Sequence, residues 1–178
     1  FIAKTVFIAG GAGSFQARKL KLDGIADFEE RQVFYRVDDA TRFADRRVVV
    51  HGGTDLALEA VLKLAEAPVE RAPASLTLVH RRDSLRSERI LQDRLFKHPK
   101  IKVIWDSEVA EFVAGGMPEA LVGLDVRNVK SGSVSRIDAD GAFVAIGHKP
   151  ATELFQGKLK LDSDGYIEVE VGTTRTSV

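Results

Sequence analysis

One segment constrains the fold of this chain more than any other, because apolar strand patterns and helical patterns alternate along residues 46–105. Three apolar runs typical of buried strands are separated by two stretches whose apolar residues recur at helical spacing. In chain order these are strand 46–51, helix 56–66, strand 75–80, a helix containing Leu91 and Leu95, and strand 101–105. The order strand, helix, strand, helix, strand predicts a parallel sheet with helices on its faces.

The residues that follow complete the predicted architecture. Three segments alternate apolar with polar residues and are joined by short turns, a pattern that predicts an antiparallel meander with one solvated face. They are residues 107–113, 121–128 and 133–137. Residues 142–147 (AFVAIG) form a continuous apolar run, which predicts a buried strand. We therefore expect an α/β fold: a Rossmann-like, three-layer ββα domain with a central parallel sheet, an antiparallel three-stranded meander and helices.

An apolar stretch at the start of the chain suggests how the domains are arranged. Residues 4–11 (KTVFIAGG) predict a buried strand that ends in glycines, and they resemble the apolar strand and glycine of residues 142–147. Two such stretches on either side of one sheet unit predict an inserted domain. We expect residues 28–147 to form that domain, and residues 1–27 and 148–178 to be linker and pieces of a second one. Since the chain begins inside the first stretch and without Met, we interpret it as an excised fragment.

Composition excludes several classes of protein. Lys and Arg number 26, and so do Asp and Glu, so the formal net charge is zero. Such a chain lacks the long-range field with which general nucleic-acid or membrane-surface binders attract their partners. The sequence has no cysteine and four scattered histidines, which argues against disulfides, thiolate or zinc sites and a thiol relay. We expect a cytoplasmic protein with no nucleic-acid, membrane or metal partner.

The turn between the first strand and the first helix has the composition of a phosphate-binding loop. Residues 51–57 (HGGTDLA) match the dinucleotide pattern G-x-G-x-x-A at Gly52 and Ala57, with Thr54 at the second glycine position. Gly52 makes the sharp turn, Ala57 lets helix and strand pack closely, and the helix N-terminus presents free N–H groups to an anion. The Cβ of Thr54 crowds the approach of a pyrophosphate, although its hydroxyl could donate a hydrogen bond. The two glycines could equally be only a strand-to-helix turn.

A cationic cluster follows the second strand. In sites for NAD the end of this strand carries an acid that bonds the adenosine ribose, whereas here it carries His80, Arg81 and Arg82, with Arg86 about one helical turn on. A guanidinium fork matches the geometry of a phosphate group, and each charge-assisted hydrogen bond contributes about 1.5–3 kcal/mol. Two such contacts to a 2′-phosphate would favour NADPH over NADH by at least about two orders of magnitude. Taken alone, an arginine pair is also typical of a solvated face.

Two long stretches carry a resemblance to a known family. Residues 79–95 (VHRRDSLRSERILQDRL) and 141–155 (GAFVAIGHKPATELF) resemble the NADPH domain of bacterial thioredoxin reductase. Residues 5–18 and 32–37 are instead similar to the thioredoxin-reductase-like class of ferredoxin–NADP reductases. The resemblance covers essentially the whole chain and changes subfamily around residues 60–78, which suggests a chimera or a divergent natural relative.

The resemblance implies a flavoprotein in which an FAD domain is interrupted by an NADPH domain, and the two domains rotate to bring the nicotinamide onto the flavin. On this basis residues 28–147 are the NADPH domain, and the flanking segments are pieces of linker and FAD domain. The implied partners are the FAD domain, thioredoxin or ferredoxin as electron acceptor, and a second copy in a homodimer. The implied cofactor-binding residues are Gly52, Gly53 and Ala57 at the pyrophosphate, Arg81, Arg82 and Arg86 at the 2′-phosphate, Ile146, Gly147 and His148 at the linker, and Thr54, Asp55 and His80 beside them.

The sequence also departs from the family that it resembles. Thr54 replaces a third glycine, and Leu56 stands where Ser or Thr is common. The CxxC pair of thioredoxin reductase, expected shortly before the strand at residues 47–50, is missing, as are the FAD-binding glycine-rich and terminal Gly-Asp segments. We therefore expect no catalytic residue in this chain and no activity from the chain alone. The rival interpretation is a non-catalytic Rossmann-like scaffold with a degenerate nucleotide site.

Overall fold

The structure of the protein is a computed structural model that describes residues 3–9, 16–36 and 39–178. The chain divides into two compact units. The larger unit is Lys19–Gly147, and the smaller unit consists of residues 1–18 and 148–178. The segment that the sequence predicts to be an inserted domain, residues 28–147, falls within the larger unit.

Strands dominate the described part of the chain. In chain order the strands are β1 (Gln16–Ala17), β2 (Val33–Phe34), β3 (Arg47–Gly52), β4 (Ser75–Val79), β5 (Ile101–Ile104), β6 (Ser107–Gly115), β7 (Ala120–Asn128), β8 (Val134–Asp138), β9 (Gly141–Ala145) and β10 (His148–Lys149). The α-helices are α1 (Asp55–Ala65) and α2 (Arg89–Lys97), and short 3-10 helices cover Ile25–Asp27, Ala40–Phe43, Val69–Arg71 and Glu153–Phe155. No helix of the described residues is long and apolar enough to cross a membrane.

The larger unit is built in three layers. Its central sheet has the strand order β2-β9-β3-β4-β5 with every pair parallel, and β6, β7 and β8 form a separate antiparallel meander. Successive residues of a strand point to opposite faces of a sheet. Val48 and Val50 of β3 therefore pack against the core on the side of the two helices, whereas Val49 packs against the meander. This arrangement confirms the predicted ββα, Rossmann-like α/β fold.

Helix α1 forms because its apolar residues recur on one face. Leu58, Val61 and Leu62 are all buried, and their spacing places them together against β3, β4 and α2. Burying each such side chain contributes about 1.5–3 kcal/mol. Since α1 directly follows β3, this packing fixes the N-terminus of the helix at the carboxyl edge of the sheet.

The predicted strand over residues 4–11 is wrong in the part that the structure describes. Residues 3–9 contain no strand. Val6 is 76% exposed and Phe7 is 87% exposed. An apolar run becomes a strand only where a neighbouring strand satisfies its backbone N–H and C=O groups. No described strand pairs with residues 3–9. Residues 10 and 11 lie outside the described residues. In the smaller unit, β1 and β10 pair antiparallel.

Candidate functional site

The glycine turn, residues 52–54, joins the carboxyl end of β3 to α1. Gly52 lies opposite Ala145 of the neighbouring strand β9. A Cβ atom added to Gly52 would lie 2.3 Å from the carbonyl oxygen of Ala145 and 2.8 Å from the Cβ of Ala57. These separations leave no room for a larger residue, so Gly52 and Ala57 allow β3, β9 and α1 to meet closely. This close approach agrees with the packing role that the sequence pattern assigns to Ala57.

The arginine loop, residues 81–88, connects β4 to α2 and folds back over the glycine turn. The backbone N–H of Arg86 donates to the carbonyl of Gly53 at 3.1 Å. The backbone N–H of Glu88 donates to the Asp55 carboxylate at 2.7 Å. Two separate hydrogen bonds therefore fix this loop to the start of α1, and they bring the two predicted clusters of site residues together.

The N-terminus of α1 carries the two departures from the family pattern. Thr54 is exposed and is the N-cap residue, but its hydroxyl makes no capping bond with the described residues. That hydroxyl is free to donate to an anion at the positive end of the helix. Leu56 instead packs against the helix-side core. Its side chain contributes apolar contacts and no hydroxyl.

The three arginines of the arginine loop have no acidic partner among the residues that the structure describes. Arg81 and Arg86 are exposed, and Arg82 is half-buried. None of their guanidinium groups makes an ion pair or a side-chain hydrogen bond with the residues that the structure describes. Guanidinium groups bind phosphate bidentately, so this edge of the sheet offers up to three charged donors to an anionic ligand.

Two buried histidines lie beside the arginines. His80 follows β4, and its ring covers Gly53 so closely that a Cβ added there would lie 2.1 Å from the Cε1 atom. Burial lowers the pKa of His80 below its ordinary value of 6.5, and the charges of Arg81 and Arg82 lower it further against backbone hydrogen bonds that raise it. Burial likewise lowers the pKa of His51, on β3, to about 4. Both imidazoles are therefore neutral at pH 7.

The predicted residues near the linker are placed differently from one another. Ile146 and Gly147 directly follow β9, whose end lies beside Gly52, so they continue from the same edge of the sheet. Ile146 packs against the meander-side core, and Gly147 adopts a left-handed φ of 107°. His148 starts β10 and belongs to the smaller unit.

Several contacts at this edge could not be predicted from the sequence. The bond between Glu88 and the Asp55 carboxylate spans 33 positions, and no local pattern signals it. Trp105 follows β5, and its ring lies edge-on to His80 with centroids 6.2 Å apart. The Nδ1 atom of His51 is buried with no hydrogen-bond partner in the described part of the chain. Across residues 3–9, 16–36 and 39–178, no group of acidic or histidine side chains could hold a metal ion.

Comparison with known proteins defines the class to which this fold and site belong. The sequence pattern of the pyridine nucleotide-disulphide oxidoreductase family matches residues 1–178, and the chain belongs to that family. Among its relatives, the thioredoxin reductase of Rickettsia prowazekii (strain Madrid E) is 40% identical over 99% of this chain and 54% of its own length. The thioredoxin reductase of Streptomyces coelicolor is 43% identical over 99% of this chain and 52% of its own.

A solved structure shows the same similarity. The crystal structure of Lactococcus lactis thioredoxin reductase superimposes with a TM-score of 0.78 at 33% identity, covering 92% of this chain and 52% of that one. The chain thus spans about half the length of the thioredoxin reductases that it matches. The change of subfamily within the chain, suggested by the sequence, stays a prediction.

Proposed function

We propose that residues 28–147 are the NADPH-binding domain of a two-domain flavoprotein reductase. The domain would present NADPH for hydride transfer to FAD, and residues 1–27 and 148–178 would belong to the linker and the FAD domain. The observation that carries this proposal is the arginine loop, which is bonded to the glycine turn at the carboxyl edge of a parallel sheet and whose three guanidinium groups have no partner among the described residues. Nucleotides bind at this edge in open α/β sheets.

The charge of the residues at this edge supports NADPH as the ligand. Arg81, Arg82 and Arg86 would hold the 2′-phosphate, which NADH lacks. The glycine turn and the N-terminus of α1, with the Thr54 hydroxyl in place of a third glycine, would receive the pyrophosphate. When bound, NADPH supplies the hydride and FAD accepts it. The chain's own residues bind the phosphates and orient the nucleotide, and we assign no catalytic residue.

The electron acceptor of the parent enzyme is thioredoxin or ferredoxin in this proposal. The two acceptors stay open, because the chain contains no cysteine for the CxxC relay of the resembled thioredoxin reductases, whereas the relatives that it matches are thioredoxin reductases. Since the chain contains no cysteine and spans about half the length of the relatives that it matches, we propose that this chain alone does not oxidise NADPH.

Calorimetric titration of the purified chain with NADPH and with NADH tests the proposal. We expect micromolar binding of NADPH and binding of NADH that is weaker by at least about two orders of magnitude, the difference that two charge-assisted contacts produce. Circular dichroism on the same sample establishes that it is folded. A folded sample that releases no heat with either nucleotide would favour the rival function, a non-catalytic scaffold in which Thr54 and Leu56 have abolished nucleotide binding.

A further inference from the structure

Lys130 connects the antiparallel meander to the arginine loop. It lies in the meander turn, residues 129–133, which joins β7 to β8. Its ammonium group lies 3.1 Å from the carboxylate of Asp83, in the arginine loop, and 2.9 Å from that of Asp106, which follows β5. One cation therefore binds two carboxylates that come from separate segments of the chain.

Backbone hydrogen bonds fix the position of Lys130. The side-chain oxygen of Asn128 accepts from the N–H groups of Lys130 and Ser131, at 3.0 and 2.9 Å. Bonds from an Asn side chain to the backbone just beyond it are typical of an Asx turn. The N–H group of Val129 donates to the carbonyl of Asp106 at 2.7 Å. The meander turn is therefore held against the segment that follows β5, with Lys130 in reach of both carboxylates.

The two carboxylates adjoin the hydrogen bond that anchors Arg82. The backbone N–H of Asp106 donates to the carbonyl of Arg82 at 3.2 Å, and Asp83 is the next residue of the arginine loop. Lys130 thus links the residues at the two ends of this anchor through their side chains. The side chain of Asp106 is only 19% exposed, so solvent screens its contact with Lys130 less than it screens a fully exposed ion pair.

Asp83 is an acid in the middle of a phosphate-binding cluster. It directly follows Arg82 and precedes Arg86 by three residues. An uncompensated carboxylate at this place would repel a phosphate dianion and compete with it for the guanidinium groups. In the structure the Asp83 carboxylate instead accepts from the Lys130 ammonium group, and this hydrogen bond is the largest cause that lowers the pKa of Asp83. The charge of Asp83 is therefore matched by a lysine of the meander, and the guanidinium groups stay available.

We propose that Lys130 is a positioning residue that determines the preference of the site for a 2′-phosphate. It binds the Asp83 carboxylate to the meander, so that this acid neither repels the phosphate nor pairs with the arginines. The inference rests on the proposed function. NADH carries no phosphate that Asp83 could repel, so Lys130 acts on the ratio of the two affinities rather than on both alike.

Calorimetric titration of the whole chain with NADPH and with NADH tests this role. Lys130→Gln should weaken NADPH binding by about fivefold, the upper range for the loss of an exposed ion pair, and leave NADH binding unchanged within error. Lys130→Arg keeps the charge and should retain the NADPH affinity of the wild type. Arg136→Gln is the matched control, because it removes one positive charge from the same meander, where Arg136 pairs with Asp125. It should change neither affinity.

A second substitution distinguishes this role from a general effect on the fold. In the double variant Asp83→Asn with Lys130→Gln, the arginine loop no longer carries the released carboxylate, so NADPH affinity should return close to that of the wild type. An unchanged NADPH affinity in Lys130→Gln would overturn the proposal. Equal losses for the two nucleotides, or a double variant that binds as weakly as Lys130→Gln, would overturn it as well, and in each case the nucleotide site itself would stand.

Failure of the proposed function gives a different result. If the folded wild type binds no NADPH, the nucleotide site fails, and the preference assigned to Lys130 fails with it. Hydrogen exchange of the Asp106 amide, which donates to the Arg82 carbonyl, then measures the positioning in the free chain. We expect faster exchange in Lys130→Gln than in the wild type and in Lys130→Arg. Equal exchange in the three proteins would show that Lys130 does not position Arg82.

Discussion

The two edges of the parallel sheet use arginine in opposite ways. At the amino edge, Arg47 begins β3, and its guanidinium group lies 2.6 Å from the Asp140 carboxylate and 3.0 Å from that of Asp138. At the carboxyl edge, Arg81 and Arg86 have no acidic partner in the described part of the chain. The same residue type is therefore neutralised at one edge and left available at the other.

Under the proposed function, this difference separates an arginine that serves the fold from one that serves a ligand. The hydrogen bonds with Asp140 raise the pKa of Arg47. They also connect the start of β3 to the residue directly before β9. At the carboxyl edge, burial lowers the pKa of His80, and the charges of Arg81 and Arg82 lower it further. These arginines therefore add positive charge to the edge at which we propose that an anion binds.

The largest expected effect comes from removing the unpaired charges. The double variant Arg81→Ala with Arg82→Ala should weaken NADPH binding by about two orders of magnitude or more, because two charge-assisted contacts of about 1.5–3 kcal/mol each are lost. Binding of NADH should hardly change. Calorimetry measures both affinities. Arg136→Ala is the matched control, since Arg136 pairs with Asp125 on the meander, and it should leave both unchanged. Equal losses of affinity for NADPH and NADH would refute the assignment of Arg81 and Arg82 to the 2′-phosphate.

Acid should destabilise the carboxyl edge through His51. The folded pKa of His51 is about 4, below the ordinary value of 6.5, so between these values the unfolded chain binds a proton that the folded chain does not. The free energy of unfolding is therefore highest above pH 6.5 and falls as the pH drops toward 4, by about 3 kcal/mol. Urea unfolding across this range should show the fall in the wild type and a clearly smaller one in His51→Val. Parallel curves for the two proteins would contradict the prediction.

Two glycine-to-alanine substitutions, one at each edge of the sheet, test how tightly each edge is packed. Gly52→Ala places a Cβ 2.3 Å from a backbone oxygen, and we expect a loss of about 1–3 kcal/mol in the free energy of unfolding. Gly141→Ala, at the start of β9, meets nothing closer than the Phe43 ring at 3.5 Å. That variant should change stability by less than about 1 kcal/mol. Thermal or urea unfolding measures both, and similar losses would mean that the glycine turn is no tighter than the opposite edge.

The smallest effect is expected at the amino edge. Asp140→Asn removes the carboxylate that accepts both the backbone N–H and the side chain of Arg47, so the melting temperature should fall slightly. NADPH affinity should stay within experimental error, because Arg47 lies at the opposite end of β3 from the glycine turn. A large change in NADPH affinity on this substitution would break the distinction between the two edges.

Local sequence patterns were sufficient to predict the order of strands and helices in the larger unit. The apolar runs and helical spacing of residues 46–105 correspond to β3, α1, β4, α2 and β5, because each element there packs apolar side chains against the same core. The same reasoning failed for residues 3–9. Their apolar character is as strong, but a strand also needs hydrogen-bonding neighbours, which a single stretch of sequence does not reveal.

The sequence predicted which residues form the candidate site better than it predicted the contacts between them. Gly52, Ala57 and Arg81 could be singled out because their chemistry is local to a turn or a strand end. The bond between Glu88 and Asp55 and the contact of His80 with Gly53 depend on how the arginine loop folds back. Such contacts join residues far apart in sequence, and no periodicity encodes them. The same reason applies to the Nδ1 atom of His51, which has no hydrogen-bond partner among the described residues, because the surroundings of this atom come from other strands.

The position of Trp105 gives the protein an optical reporter of its own. Trp105 is the one tryptophan of the chain, and its ring touches both the imidazole of His80 and the ring of Phe96 at centroid distances of 6.2 Å. Protonated imidazole quenches indole emission at such short range, so the fluorescence intensity should follow the charge of this one histidine. Reduced nicotinamide absorbs where indole emits, so energy transfer would register the arrival of the coenzyme without any attached dye.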